Sequence, residues 1–150
     1  MLGELNDSQI EKLLKSQVFG RIGCHSDGIT YVVPVNYFYD GKDIYAHSGE
    51  GMKINMMRKN PEVCFEVEAV QNIFNWQSVI VWGRFEELTD IHEKEKVMQK
   101  LSDRIMSLTN NKKAHPSHGI TDNESDVGTV TQLVLYKIIL KKKTGRYEKR

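Results

Sequence analysis

Ile29-Thr30-Tyr31-Val32-Val33-Pro34-Val35-Asn36-Tyr37-Phe38-Tyr39 is a run of β-branched and aromatic residues, bracketed by Asp27-Gly28 and Asp40-Gly41. Such side chains suit a pleated, half-buried surface. Each Asp-Gly pair supplies the positive φ that a two-residue hairpin turn demands. The stretch therefore reads as the middle strand of an antiparallel meander, with neighbours over 18–24 and 43–48. Upstream, Leu5, Ile10, Leu13, Leu14 and Val18 recur at helical spacing. They predict a helix over about 8–16, with Ser8 and Glu11 as a capping-box pair or Asn6 or Asp7 as N-cap.

Downstream, Gly49-Glu50-Gly51 breaks the third strand, and 52–59 reads as a short helix ended by Asn60-Pro61. The residue before proline avoids the helical region. Residues 62–70 alternate, with Val63, Phe65 and Val67 opposite Glu62, Cys64, Glu66 and Glu68. Residues 78–88 form a fifth expected strand. Asp90 and Glu93 then open a long helix with a stripe of Met98, Leu101, Ile105 and Leu108. Residues 109–128 are polar, and a loop of that length is usually a lid, a binding loop or disordered. Residues 129–140 complete six strands, and a basic tail follows. Six strands in mostly hairpin order, with inserted helices, predict a mainly β protein. The expected architecture is a closed or partly closed antiparallel barrel in one domain over 1–150.

Composition narrows the function classes. The chain has 150 residues and a formal net charge of +1. Lys137, Lys141, Lys142, Lys143, Arg146, Lys149 and Arg150 face only Glu148 at the end of the chain, so the body before them is mildly acidic. A dedicated DNA-binding domain would spread basic charge over a whole face. The tail, 141–150, is expected to be a solvated strand end, with a weaker reading as a nucleic-acid-binding arm. No apolar run approaches the ~20 residues of a membrane span. Met1-Leu2-Gly3-Glu4-Leu5 lacks the layout of a signal peptide. Cys24 and Cys64 read as reduced, buried thiols. A cytoplasmic setting without membrane contact is expected.

Several segments have residue types suited to chemistry. In His47-Ser48-Gly49-Glu50-Gly51-Met52-Lys53 a strand ends, two glycines permit unusual backbone angles, and a helix starts with a lysine in its first turn. Helix N–H groups and the macrodipole attract anions, and Lys53 and Ser48 add a charge and a hydroxyl. Phosphate is the natural ligand, although no Walker A loop is present. An ordinary strand-to-helix turn is the plainer alternative. Pro34 lies mid-strand, where proline marks an edge or a ligand-interrupted ladder beside Asn36. In Trp76-Gln77-Ser78-Val79, Ser78 can donate to a ligand and Trp76 can shield a ring, whereas Trp82 is expected in the core. His115 and His118 flank Pro116 without a metal signature, so no metal site is expected.

Taken together, these pieces resemble the FMN-binding split barrel of the pyridoxamine 5′-phosphate oxidase superfamily, in particular its short nitroimidazole-resistance-type flavoproteins. The resemblance is carried by Phe19-Gly20-Arg21-Ile22-Gly23, Tyr31 to Tyr37, Ile44-Tyr45-Ala46-His47-Ser48, Gly51-Met52-Lys53 and Asn60 to Val67. Ser78 to Arg84, Tyr136-Lys137-Ile138 and Thr144-Gly145-Arg146 extend it. It covers most of the chain in order.

The resemblance implies a homodimer with FMN at the subunit interface. Tyr31, Val33, Pro34, Val35 and Asn36 would line the flavin. His47 and Ser48 would end the third strand beside it, and Ser78 and Val79 would approach it from the fifth. Met52 stands where longer relatives carry a phosphate-binding arginine, and Lys53 where they carry a lysine. Arg58 or a partner residue would have to compensate for Met52. The implied activity is flavin-mediated reduction of nitroaromatic, 5-nitroimidazole-type compounds to amines, with His47 as the catalytic candidate and 109–128 as a closing loop. The C-terminal substrate-phosphate segment of the long oxidases is not expected here. The alternative within the same fold is a non-catalytic flavin carrier, sensor or store.

Overall fold

The structure is a computed structural model and describes residues 1–109 and 133–150, with the side chains of Leu108 and Thr109 left aside. The expected loop 109–128, with His115 and His118, lies almost wholly outside the described residues, as does the start of the expected sixth strand. Among the described residues, seven strands and three helices follow one another as β1 (Leu2–Glu4), α1 (Asp7–Ser16), β2 (Phe19–Ser26), β3 (Ile29–Tyr39), β4 (Asp43–Ser48), α2 (Met52–Lys59), β5 (Glu62–Asn72), β6 (Asn75–Glu87), α3 (Ile91–Thr109) and β7 (Val134–Glu148).

The described strands all pair antiparallel, in the order β1-β7-β4-β3-β2-β5-β6, and β7 also pairs with β6. The six expected strands thus close on themselves, and β1 is a seventh, laid along the end of β7. Closure rests on the long β6–β7 seam, which runs from Trp76↔Glu148 to Glu87↔Tyr136 with one register shift beside Trp82 and Gly83. At Gly83 a Cβ would stand 2.4 Å from the Ile139 carbonyl oxygen, so only glycine lets the two backbones come this close.

Asp27 (φ 52°) and Gly28 (φ 77°) are both left-handed. That is the two-residue turn their sequence announces. At the next turn Gly41 has φ 95°, and the Asp40 carboxylate accepts from the N–H groups of Lys42 and Asp43 at 2.8 and 2.7 Å. α1 is capped by Asn6 and Gln9 in a reciprocal box rather than by Ser8 and Glu11. Glu11 is instead engaged elsewhere.

The main core fills the barrel with Ile22, Val35, Tyr37, Ile44, Phe65, Val67, Val79, Val81 and Tyr136. α1 touches β3, β5, β6 and β7 across one end of it. The Tyr37 hydroxyl fixes that end by donating to the Leu14 carbonyl at 2.6 Å. A second cluster of Leu88, Val97, Leu101 and Leu135 seats α3 on the outer side of β4 and β7. No described helix is long and apolar enough to cross a membrane.

Two expectations change here. The last strand does not stop at 140: residues through Glu148 continue β7, held by β6 on one side and β1 on the other, while 141–144 remain its solvated stretch. Backbone pairing makes this strand, because Lys141, Lys142, Lys143 and Thr144 are all exposed and offer no apolar pattern. Trp82 is 41% exposed rather than core. Val79 and Val81 point inward, so alternation sends Ile80 and Trp82 outward, and the Lys142 ammonium sits 5.4 Å from the Trp82 ring centroid. Cys24 is buried, but Cys64 shares the outer face and is only half-buried.

Glu11 ties three elements together. It accepts from the Tyr39 hydroxyl at 2.8–2.9 Å and from the Lys143 ammonium at 2.6 Å. Partial burial raises its carboxyl pKa, but the bonds from Lys143 and Tyr39 outweigh this and hold it below its ordinary 4.5. A depressed carboxyl stabilises the fold above its unfolded value and loses that contribution as pH falls through the folded one. Glu11→Gln is therefore expected to cost about 1 kcal/mol at pH 7. The gap between wild-type and variant melting temperatures should narrow toward pH 3.5. A constant gap across that range would remove the ionised carboxylate from the account.

Candidate functional site

β3 and β4 pair only from Tyr39↔Ile44 to Tyr37↔Ala46. Beyond that point β4 stays with β7 through Ser48↔Val134, whereas β3 follows β2 through Asn36↔Phe19, Arg21↔Pro34 and onward. The sheet splits there. Pro34, which has no N–H to give, lies in the stretch of β3 that β4 has left. A cleft of about 330 Å³ opens at the split, with Phe19, Pro34, Val35 and Asn36 on one wall and His47, Ser48, Gly49 and Lys53 on the other. That volume suits a small-molecule site.

The β4 wall leads into the start of α2. Its N-cap, Gly51, has extended backbone and gives no side-chain cap, so no cap side chain satisfies the first-turn N–H groups. The Ser48 hydroxyl donates to the Gly49 carbonyl at 2.8 Å. Neither Gly49 nor Gly51 adopts the left-handed backbone that a glycine pair would allow, and Gly51 is fully extended. A Cβ at either would meet nothing within 4 Å, so this turn faces open space.

Lys53 is half-buried. Burial lowers its pKa from the ordinary 10.5, and the nearby Cys24 offsets this only in part. Among the described residues it makes no ion pair. Opposite, the Asn36 Oδ1 atom is buried without a hydrogen-bond partner. His47 is 7% exposed and shares the cleft wall. A desolvated ammonium, an uncapped helix start and an orphaned acceptor together fit a ligand with an anionic end and a donor-bearing body.

A family model described as pyridoxamine 5′-phosphate oxidase matches residues 6–142. The chain belongs to the pyridoxamine 5′-phosphate oxidase family. An uncharacterised protein of Rhizobium meliloti (strain 1021) is 38% identical over 68 residues, which are 45% of this chain and 45% of that relative. The match thus spans less than half of either protein. The crystal structure of a FAD-binding protein from Mesorhizobium loti superposes with a TM-score of 0.76 at 28% identity, covering 98% of both chains. A candidate 5-nitroimidazole antibiotic resistance protein from Bacteroides thetaiotaomicron gives 0.73 at 23% identity, over 98% of this chain and 87% of that one. At that identity the likeness concerns the fold alone.

In this family member the split cleft gathers Pro34, Val35, Asn36, His47, Ser48 and Lys53. It does not gather the other expected residues. Tyr31 and Val33 pack partly buried against the barrel core. Val79 is fully buried inside the barrel, opposite Val67 and Gly145. Ser78 lies on the outer face and donates to Glu66 at 2.9 Å. Met52 is 48% exposed and lines a separate hollow with Ser26, Asp27, Ile29, Asn55 and Lys59. Arg58, the expected stand-in for Met52, has its guanidinium engaged by Glu50 and Glu87.

Phe19 and Gly49 also line the cleft; the sequence placed both within candidate motifs but gave neither a part in binding. Phe19 left a trace: it opens its strand as a large aromatic residue in an exposed phase. Across the same outer face, Val32, Gly23, Cys64 and Trp82 fall in one transverse row over β3, β2, β5 and β6. Phe19, Val32, Ile80 and Trp82 are 65%, 63%, 37% and 41% exposed.

Proposed function

We propose that this chain is an FMN-dependent oxidoreductase that works as a homodimer and passes electrons from reduced flavin to nitroaromatic acceptors. The observation that carries the cofactor assignment is the half-buried Lys53, unpaired among the described residues, beside the uncapped start of α2 in the split of a family barrel. A phosphate there would offset the desolvation of the ammonium and take the free helix N–H groups. Ser48, Asn36, Pro34 and Val35 would hold and orient the remainder. Bound flavin would supply the redox chemistry, and the protein would supply position and electrostatics.

His47 borders the same cleft, and its imidazole is a group that can give or take a proton there. The exposed apolar row over β3, β2, β5 and β6 supports a second copy as partner, since monomers rarely leave such rows in water. The nitroaromatic acceptor rests on the motif resemblance from Phe19 to Val67. A second reading, a flavin carrier or store without turnover, is favoured by the near-burial of His47, which leaves little room for a substrate to reach it in this state.

One experiment separates these readings. The protein is purified, its visible spectrum recorded, and the released cofactor identified by mass as FMN or FAD. A yellow protein is then reduced without oxygen and offered a 5-nitroimidazole. Rapid reoxidation, slowed at least about tenfold in His47→Ala with flavin retained, is expected. Reoxidation by oxygen alone would favour the carrier. A colourless protein that takes up neither flavin defeats both.

A further inference from the structure

Glu50 is the anion immediately before Gly51, the N-cap of α2. Carboxylates are drawn to helix N-termini by the same N–H groups and dipole that draw phosphate. A free Glu50 side chain would therefore compete for the seat that the flavin reading gives to phosphate. In the structure it does not occupy that seat. Its two oxygens accept from Arg58 Nη1 and Nη2 at 2.8 and 2.9 Å. Arg58 is anchored in turn on Glu87 at the end of β6, through Nε at 2.7 Å and Nη2 at 3.0 Å. A planar fork shared by two carboxylates has a fixed direction that a flexible ammonium would not impose.

We propose that Arg58 is a positioning residue that holds the Glu50 carboxylate off the anion-binding start of α2, keeping it open for the phosphate of the cofactor. The inference rests on the flavin reading above and adds a residue that would not touch the ligand. The hydrogen bonds from Arg58 also hold the Glu50 carboxyl below the usual range, as expected of a carboxylate seated on a guanidinium. The clamp thus sets a positive charge against Glu50 and aims its carboxylate away from the helix start.

The test is a double-mutant cycle of Arg58→Gln and Glu50→Gln, read as the flavin dissociation constant by fluorescence quenching. Inorganic phosphate serves as a competing probe for the anion seat. Arg58→Gln is expected to weaken flavin and phosphate roughly fivefold. Glu50→Gln should change affinity less than about twofold when Arg58 is present, yet restore most of the loss in the Arg58→Gln background. Equal effects of Glu50→Gln in both backgrounds would mean simple charge addition and overturn the inference, as would unchanged affinity in Arg58→Gln. Arg58→Lys, which keeps the charge without the fork, serves if Arg58→Gln fails to fold. Weakened binding rescued by Glu50→Gln supports the clamp there, and unaltered binding rejects it. Wild-type protein that binds no flavin defeats the underlying reading. Wild-type that binds flavin, loses it in Lys53→Glu and gives an additive cycle defeats this inference alone.

Discussion

Lys53→Glu is expected to lower flavin affinity by roughly 100-fold or more, the scale of leaving a partly desolvated charge opposite its own sign. The direction follows from burial. Lys53 is half-buried, and burial already depresses its pKa, so the unliganded protein bears a desolvation cost that a bound anion would offset. Lys53→Met removes that cost. The methionine variant should therefore melt at a higher temperature than the unliganded wild type while binding flavin about tenfold more weakly. Opposite signs in stability and binding are the signature of a residue kept for its ligand. The pH dependence has a matching sign. Deprotonation relieves the penalty, so unliganded stability contributed by Lys53 rises as pH climbs through its lowered value toward 10.5. Equilibrium titration and melting of the three proteins supply the numbers. Equal flavin affinity in wild type and Lys53→Glu would take Lys53 out of the site.

Deletion of residues 141–150 is expected to abolish the cooperative fold. Those residues supply much of the β6–β7 seam, from Trp82↔Lys142 to Trp76↔Glu148, and all of the partner for β1. The Leu5 N–H donates to the Gly145 carbonyl at 2.9 Å, and the N-terminal ammonium to the Lys149 carbonyl at 2.7 Å. Gly145 is buried against Leu5 and Ile10, and Tyr147 packs on the core. Without them half of β6 becomes a bare edge above an opened interior. The loss should exceed the ~5–15 kcal/mol by which domains are stable. Circular dichroism and limited proteolysis of the truncated chain check this. A cooperative melt within a few degrees of the full-length protein would contradict the closed seam.

The parts legible in sequence were those with local causes. Asp27-Gly28 dictates its turn through two positive φ values, and the β-rich run after it can hardly be anything but strand. The barrel followed from strand count and order. β1 escaped because three residues have no period of their own, and only β7 makes them a strand. The far half of β7 escaped because its lysines disguise a strand defined by pairing. The site divided along the same line. Pro34, Asn36, His47, Ser48 and Lys53 sit close to chain features visible in sequence, namely a mid-strand proline and a strand-to-helix turn. Tyr31, Val33 and Val79 needed knowledge of which face each strand turns inward. From sequence Arg58 is only a stand-in for Met52, because Glu50 and Glu87, its two partners, come together with it only in the fold.

The split in the sheet has a consequence for solubility. Once β4 departs, the stretch of β3 from Ile29 to Asn36 meets no strand on that side among the described residues. Its side chains are β-prone and Val32 is 63% exposed. A long edge of this kind is an invitation to runaway strand addition between molecules, the route to aggregates. Pro34 stands within it and withholds a donor from any foreign strand that tries to extend the ladder. The same residue that lines the cleft thus guards the protein against polymerising along its open edge.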